Sequence, residues 1–260
     1  MKNFFEIYLY KSKEIESLVL YNNTLSLNNN NKYNNNNNQN LLYNNNNNYA
    51  NNQINQNNYY NNMFINDYYL PPIKSYYKYT LVLDLDETLV YYQKDINLLN
   101  NNFNNNKNTL IFRPGLFDFL YKMKPLYELV LFSFGTKDYV DSILSIIEKK
   151  EKIFEYVLYR QHATYEKGDY VKNLALLGRD LKKIIIVDDI QHVFKLQKNN
   201  GICIKAFYGD VISDRNTLKL LGKILEKIRF DAEENDGDIT KSLLKQKNLI
   251  FTHITTNLEC

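Results

Sequence analysis

Five short apolar runs constrain the fold of this chain more than any other feature of its sequence. They lie at residues 79–83, 128–132, 156–159, 184–187 and 202–205. Each run is shorter than an ordinary helix and its apolar residues are contiguous rather than alternating, which is typical of strands buried on both faces. The sequence therefore predicts a sheet with both sides covered.

Segments with apolar residues at helical spacing alternate with these runs, at residues 116–123, 140–149, 174–182 and 217–228. This alternation predicts an α/β fold, a three-layer Rossmann-like parallel sheet with helices on both faces. No interval between the runs is long enough for a large cap domain. Ligands of such sheets bind at the carboxyl ends of the strands, so the candidate site is sought there.

The apolar runs occupy only part of the 260-residue chain. Residues 1–70 are predicted to be a disordered low-complexity region, because their long Asn tract has little to bury. Codon drift in an AT-rich genome explains that tract, and self-association is the alternative. The folded domain is predicted at residues 71–230, with a second Asn run at 100–108 in a surface loop. Residues 231–260 form a C-terminal extension.

The distribution of charged residues and cysteines limits which partners and which cellular compartments we expect for this chain. The formal net charge is +3 and Lys and Glu are interspersed, so we expect no direct nucleic-acid binding. The N-terminal residues are too charged for a signal or transit peptide, and we expect no membrane span. Cys203 and Cys260 lack zinc-site spacing. We expect an intracellular protein, in the nucleus or cytoplasm rather than the mitochondrion. The sequence does not indicate its oligomeric state.

Polar side chains stand at the ends of three predicted strands or in the loop before one of them. Clustered carboxylates at the end of a buried strand are costly unless a cation compensates them, and Mg²⁺ prefers such oxygen ligands. Each residue alone has an ordinary alternative, such as a turn, a helix cap or a surface lysine. Their joint placement favours one site. The residues are Asp84, Asp86, Ser133, Lys172, Asp188 and Asp189.

These residue types suit phosphoryl transfer. A carboxylate such as Asp84 can attack phosphorus to give an aspartyl-phosphate that water hydrolyses. A second carboxyl group two residues on, Asp86, can protonate the leaving oxygen and later deprotonate the water, while Leu85 points back into the fold. The Ser133 hydroxyl and Lys172 ammonium can stabilise the phosphoryl oxygens in the transition state.

The segment at residues 84–90 reads Asp84-Leu85-Asp86-Glu87-Thr88-Leu89-Val90. This segment resembles the signature of the haloacid dehalogenase superfamily, in the form used by FCP-type and small carboxyl-terminal-domain phosphatases, also called nuclear LIM interactor-interacting factor phosphatases. The resemblance covers about residues 76–228. It continues through Arg113-Pro114-Gly115-Leu116, Leu131-Phe132-Ser133, Tyr170-Val171-Lys172-Asn173-Leu174 and Ile185-Ile186-Val187-Asp188-Asp189.

The resemblance implies a protein serine/threonine phosphatase that depends on Mg²⁺ and acts on a phosphoprotein, the family's best-known substrate being the carboxyl-terminal repeats of RNA polymerase II. It assigns roles residue by residue. By this resemblance the nucleophile is Asp84 and the general acid/base is Asp86. The phosphoryl group is held by Ser133 and Lys172, with Thr88 and Arg160 as further candidates. The metal ligands are Asp84, Asp86, Asp188 and Asp189.

Three departures from the family pattern bear on the substrate. Asp188-Asp189 stands where the family commonly has Asp-Asn, and Ser133 stands where it commonly has Thr. The insert at residues 91–111 is Asn-rich, whereas family members acting on polymerase repeats often have a hairpin there whose aromatic residues hold a proline. The alternative is a non-catalytic binding module resembling the mitochondrial inner-membrane translocase subunit with the same fold. Its first motif is often degraded, whereas Asp84 and Asp86 are both present here.

Overall fold

A computed structural model describes residues 68–93 and 109–255 of the chain. The predicted Asn-rich loop at 100–108 and all but the last three residues of the predicted disordered region lie outside the described residues. Those last three residues pack against the domain that follows: Leu70 is buried, and the Tyr69 N–H donates to the Leu176 carbonyl at 2.7 Å.

The described residues form a central sheet, two short hairpins and five α-helices. The strands are β1 (Thr80–Leu83), β2 (Val90–Gln93), β3 (Thr109–Phe112), β4 (Glu128–Phe132), β5 (Tyr156–Leu158), β6 (Thr164–Glu166), β7 (Asp169–Val171), β8 (Ile184–Asp188) and β9 (Gly201–Cys203). The α-helices are α1 (Leu116–Met123), α2 (Lys137–Ile147), α3 (Thr217–Glu233), α4 (Ile239–Lys245) and α5 (Lys247–His253).

The central sheet contains the five strands that the apolar runs predict. Its order is β5-β4-β1-β8-β9, and every pairing is parallel. Side chains alternate between its faces, as the pleat requires: Leu81 and Leu83 of β1 join one core cluster and Val82 joins the other. Both faces are buried, which explains why the runs are mostly apolar.

Helical layers cover both faces of the sheet, so the three-layer α/β prediction is confirmed. The α-helices pack on the face that carries Leu81 and Leu83. The opposite face is covered by 3₁₀ segments at Leu174–Leu177 and Gln191–Asn200 and by Leu70. The central strand β1 pairs with both β4 and β8, which places the ends of these three strands side by side.

The predicted helix at residues 174–182 is wrong. The structure has two 3₁₀ turns there, Leu174–Leu177 and Leu181–Lys183. Gly178 ends the first turn in the left-handed conformation at φ 69°, which terminates helices. The Asp180 side chain then accepts from the Lys182 N–H and begins a separate turn. Apolar spacing alone did not reveal this interruption.

The hairpins β2–β3 and β6–β7 were not predicted, and neither were the helices α4 and α5. The boundary placed at residue 230 falls within α3, which runs to Glu233. Ile239 of α4 and Ile250 of α5 belong to the same core cluster as β1 and α3. The Lys205 N–H also donates to the Ile254 carbonyl at 2.7 Å. Residues 231–255 therefore pack as part of the domain.

None of the helices within residues 68–93 and 109–255 combines the length and the apolar character that a membrane crossing requires.

We predict that Ile239→Ala lowers the free energy of unfolding by about 2 to 5 kcal/mol, because Ile239 is 0 % exposed and its truncation leaves a cavity in the core. Leu244→Ala in the same helix is the matched control, since Leu244 is 69 % exposed, and its effect should stay within about 0.5 kcal/mol. Urea denaturation measures both. Equal stability of the two variants would show that α4 does not belong to the folded core.

Candidate functional site

The carboxyl ends of β1 and β8 bring three carboxylates together. Asp84 directly follows β1 and its N–H donates to the Val187 carbonyl at 3.0 Å, while Asp188 is the last residue of β8. One carboxylate oxygen from each of Asp84, Asp188 and Asp189 lies within 4.8 Å of the other two, and all three residues are buried. Parallel pairing explains this, because neighbouring strands end at one edge of the sheet.

Lys172 is the cation within this group. Its Nζ donates to Asp84 Oδ1 and to Asp188 Oδ2, each at 2.6 Å, and its side chain is 1 % exposed. The residue follows β7, and its backbone N–H donates to the Val193 carbonyl at 2.6 Å. Burial lowers the pKa of Lys172, but the Asp188 and Asp84 carboxylates outweigh that effect and raise it above its usual value. The ammonium therefore stays charged.

One ammonium does not balance three carboxylates in a buried site. Burial raises the pKa of Asp84 to about 8, with the charges of Asp188 and Asp86 adding to the rise and Lys172 opposing it. Burial and the Asp188 and Asp84 carboxylates raise the pKa of Asp189 to about 9. Asp84 Oδ2 is buried and accepts no hydrogen bond from the described residues. The clustered carboxylate oxygens fit a divalent cation, and a bound cation would favour the ionised forms of these groups.

Asp86 lies beside this group and points toward α2. The Tyr139 hydroxyl donates to Asp86 Oδ1, and the Ser133 hydroxyl lies 3.4 Å from Asp86 Oδ2. Burial and the Asp86 carboxylate raise the pKa of Tyr139 well above its usual value, so this hydroxyl keeps its proton. Leu85 is 0 % exposed and packs into the core, as the Asp-x-Asp spacing predicts.

A tight turn after β1 separates Asp84 from Asp86 in this way. The Val90 N–H donates to the Leu85 carbonyl at 3.0 Å, and the Glu87 N–H donates to the Val90 carbonyl at 2.7 Å. Glu87 adopts φ 61°, an uncommon conformation for a residue other than glycine. Such strained backbone persists where the surroundings fix it, and it often marks functional sites.

The four predicted phosphate-binding residues occupy different positions around the carboxylates. Ser133 follows β4, is buried, and its Oγ accepts from the Gly135 N–H at 2.9 Å. The Thr88 hydroxyl donates to Asp189 Oδ1 at 3.1 Å, so it contacts a carboxylate of the cluster. The Arg160 N–H donates to the Gly135 carbonyl at 3.1 Å, which places its backbone beside the loop after Ser133. Lys172 lies among the carboxylates themselves.

Two further features of the site were missed at the sequence level. Tyr139 stands within an ordinary amphipathic helix, where nothing distinguishes it from a core residue. Arg113 forms a bidentate pair with Asp214 at 2.8 Å and also donates to the Thr88 and Lys205 carbonyls at 2.9 and 2.7 Å. Arg113 belongs to a motif of the family resemblance, but its partner Asp214 lies 101 residues away in sequence.

The fold and the carboxylate cluster define an α/β protein with a phosphatase-like site, and comparison with known families identifies the class. The model of the NLI interacting factor-like phosphatase family matches residues 79–237. The chain belongs to this family. The matched segment contains all the predicted site residues, and it extends beyond the predicted boundary at residue 230.

Several curated proteins are similar to this chain. A Dictyostelium discoideum protein described as CTD small phosphatase-like protein 2 is 37% identical over 160 residues, which cover 58% of this chain and 28% of that protein. The Caenorhabditis elegans CTD small phosphatase-like protein 3 is 35% identical over 68% of this chain and 62% of its own length. The Kluyveromyces lactis mitochondrial import inner membrane translocase subunit TIM50 is 32% identical over a segment that covers 53% of this chain and 28% of that protein.

The chain therefore spans less than two thirds of these relatives. The solved structure of Fcp1, described as an essential RNA polymerase II CTD phosphatase, matches with a TM-score of 0.50 and 18% identity over 66% of this chain and 71% of that one. At this identity the likeness shows a shared fold.

We predict that Mg²⁺ raises the melting temperature of the protein by roughly 5–10 °C at a hundredfold excess over its Kd, because it binds the folded carboxylate cluster and not the unfolded chain. Asp188→Asn should lose most of that rise. Asp118→Asn, which removes an exposed carboxylate from α1, should keep it. Differential scanning fluorimetry over a Mg²⁺ series measures the shifts. The same rise in all three proteins would mean that the cation does not bind at Asp188.

Proposed function

We propose that this chain is a magnesium-dependent protein serine/threonine phosphatase that works through an aspartyl-phosphate on Asp84. The observation that carries the proposal is the buried arrangement at the carboxyl end of β1: Asp84 contacts Lys172, and Asp86 stands two residues further along with a different set of partners. Family membership and the named relatives support the same reaction class.

The first chemical step forms a bond between Asp84 and phosphorus. Lys172 holds Oδ1 of Asp84, so Oδ2 is the oxygen that attacks. The phosphorus bond to the seryl or threonyl oxygen breaks, and Asp86 gives its proton to that leaving oxygen. Lys172 and the Ser133 hydroxyl stabilise the charge on the transferring oxygens. The dephosphorylated side chain then leaves.

The second step hydrolyses the acyl phosphate. Asp86, now ionised, takes a proton from water, and the water oxygen attacks phosphorus. The bond between phosphorus and Asp84 Oδ2 breaks, which releases inorganic phosphate and restores both carboxyl groups. Thr88 holds Asp189 through its hydroxyl during both steps. Arg160 guides the incoming phosphate from the loop beside Ser133.

Asp84, Asp188, Asp189 and the backbone carbonyl of Asp86 would hold the magnesium ion. The bound ion supplies positive charge that screens the phosphoryl oxygens from the attacking carboxylate. The three clustered carboxylates support this assignment.

The substrate class follows from the family and from the access to the site. Within the described residues, the intervals between the site motifs contain α1, α2, short strands and turns, and none of these elements is large enough to form a cap domain. A site without a cap domain among the described residues suits a phosphoserine or phosphothreonine in a protein chain. The relatives named as CTD small phosphatase-like proteins support a phosphopeptide substrate. A substrate like the carboxyl-terminal repeats of RNA polymerase II, and a location in the nucleus or cytoplasm, are part of this proposal.

A non-catalytic binding module is the second candidate, because the translocase subunit is also a relative. The complete set of Asp84, Asp86 and Lys172 favours the enzyme, since a binding module does not require a nucleophile, a proton donor and a phosphate-neutralising cation in one place. Phosphatase activity of the purified chain separates the two functions directly.

We predict that Asp84→Asn lowers hydrolysis of p-nitrophenyl phosphate by roughly 10³-fold or more, because the amide is not nucleophilic. The variant should stay folded, as the amide oxygen can still accept from Lys172. Asp118→Asn is the matched control and should retain wild-type activity. Steady-state kinetics and circular dichroism test both points. Near wild-type turnover by Asp84→Asn would refute the mechanism.

We predict that Asp86→Asn accumulates the aspartyl-phosphate when it is mixed with p-nitrophenyl phosphate. The weakly basic p-nitrophenolate leaves without a proton, whereas hydrolysis of the intermediate still needs the base. Stopped-flow absorbance should show a burst of p-nitrophenolate close to one equivalent, and intact mass spectrometry should show one added phosphoryl group. The double variant Asp84→Asn/Asp86→Asn should give no burst. A burst in the double variant would place the covalent bond on another residue.

A further inference from the structure

The contact between Tyr139 and Asp86 connects α2 to the proposed proton donor. The Tyr139 hydroxyl donates to Asp86 Oδ1, and the two residues are 53 positions apart in sequence. Tyr139 is only 3 % exposed, so its ring is held by the core rather than by solvent. The other Asp86 oxygen, Oδ2, lies 3.4 Å from the Ser133 hydroxyl. The Tyr139 hydrogen bond therefore holds the Asp86 carboxyl group with its second oxygen beside Ser133, one of the proposed phosphate-binding residues.

The loop after β4 leaves no room for Tyr139 to move toward it. A Cβ at Gly135 would approach Tyr139 Cδ1 to 2.7 Å and Ser133 Oγ to 3.1 Å, so only glycine permits the present packing. The Tyr139 backbone is fixed by the cap of α2, where the Thr136 side chain accepts from its N–H. Ring, loop and helix start thus fix the hydroxyl in one place.

From these contacts we propose that Tyr139 is a positioning residue that holds Asp86 for protonation of the leaving oxygen. This inference rests on the proposed phosphatase function. Tyr139 itself does not touch the reacting atoms. Without its hydroxyl, the Asp86 carboxyl group samples other rotamers, and proton delivery to the seryl oxygen slows, because general acid catalysis depends on the position of the donor.

Comparing substrates with different leaving groups distinguishes a role in positioning Asp86 from a role in maintaining the structure of the whole site. A seryl oxygen leaves as a strongly basic alkoxide unless it is protonated, so its departure depends on Asp86. The p-nitrophenolate ion is a weak base and departs without a proton. The ratio kcat/KM includes the steps up to leaving-group departure, so it reports this difference even where hydrolysis of the acyl phosphate limits kcat.

The experiment compares Tyr139→Phe with the wild type on a phosphoserine peptide and on p-nitrophenyl phosphate, both at saturating Mg²⁺. We expect kcat/KM for the peptide to fall about 10- to 100-fold, a part of the usual general-acid contribution, while kcat/KM for p-nitrophenyl phosphate changes less than about threefold. Asp86→Asn should show the same selectivity with a larger loss. The ratio between substrates does not depend on the folded fraction of each preparation.

Tyr127→Phe is the matched control. Tyr127 is a fully buried tyrosine whose hydroxyl donates to the Leu225 carbonyl at 2.8 Å, away from the carboxylates. It should retain wild-type kcat/KM on both substrates. Equal losses on both substrates for Tyr139→Phe, or no loss on either, would overturn the positioning role. A wild-type protein inactive on both substrates would instead refute the proposed phosphatase function on which that role rests.

Discussion

The buried ion pairs of Lys172 with Asp84 and Asp188 hold the site together. Two charges removed from water cost several kcal/mol each, and their attraction repays this only when the geometry is good. Here one ammonium contacts two carboxylates at 2.6 Å, and a third carboxylate lies beside them. Burial and the neighbouring carboxylates raise the pKa values of Asp84 and Asp189, because the strand ends that carry these groups are buried and hold them close together. A divalent cation would relieve the repulsion among these carboxylates and favour their ionised forms.

The rest of the architecture keeps this arrangement rigid. The parallel sheet sets the ends of β1 and β8 side by side, and Arg113 ties the turn after β1 to the segment after β9 through the Thr88 and Lys205 carbonyls. Asp214 accepts two hydrogen bonds from the Arg113 guanidinium, so the buried charge of Arg113 is compensated. The turn after β1 is therefore fixed from two sides, which would preorganise the carboxylates for the proposed chemistry.

The strands could be predicted because burial on both faces leaves a strong local signal. Local signals were weaker elsewhere. The apolar spacing at 174–182 resembles a helix, but Gly178 and the Asp180 cap divide it into two 3₁₀ turns. The segment after residue 230 gave no strong pattern, although Ile239 and Ile254 are buried in the core. The hairpins β2–β3 and β6–β7 each pair short strands whose partners become evident only after folding.

The sequence alone determined the order of the strands along the chain and the residue types at their ends. It could do so because an uninterrupted apolar run ends where a polar side chain begins. Only the tertiary structure decided which of those side chains meet. Asp84 and Lys172 are 88 residues apart, Asp86 and Tyr139 are 53 apart, and Arg113 and Asp214 are 101 apart. Contacts at such separations depend on sheet order and on how helices pack, and no local pattern encodes either.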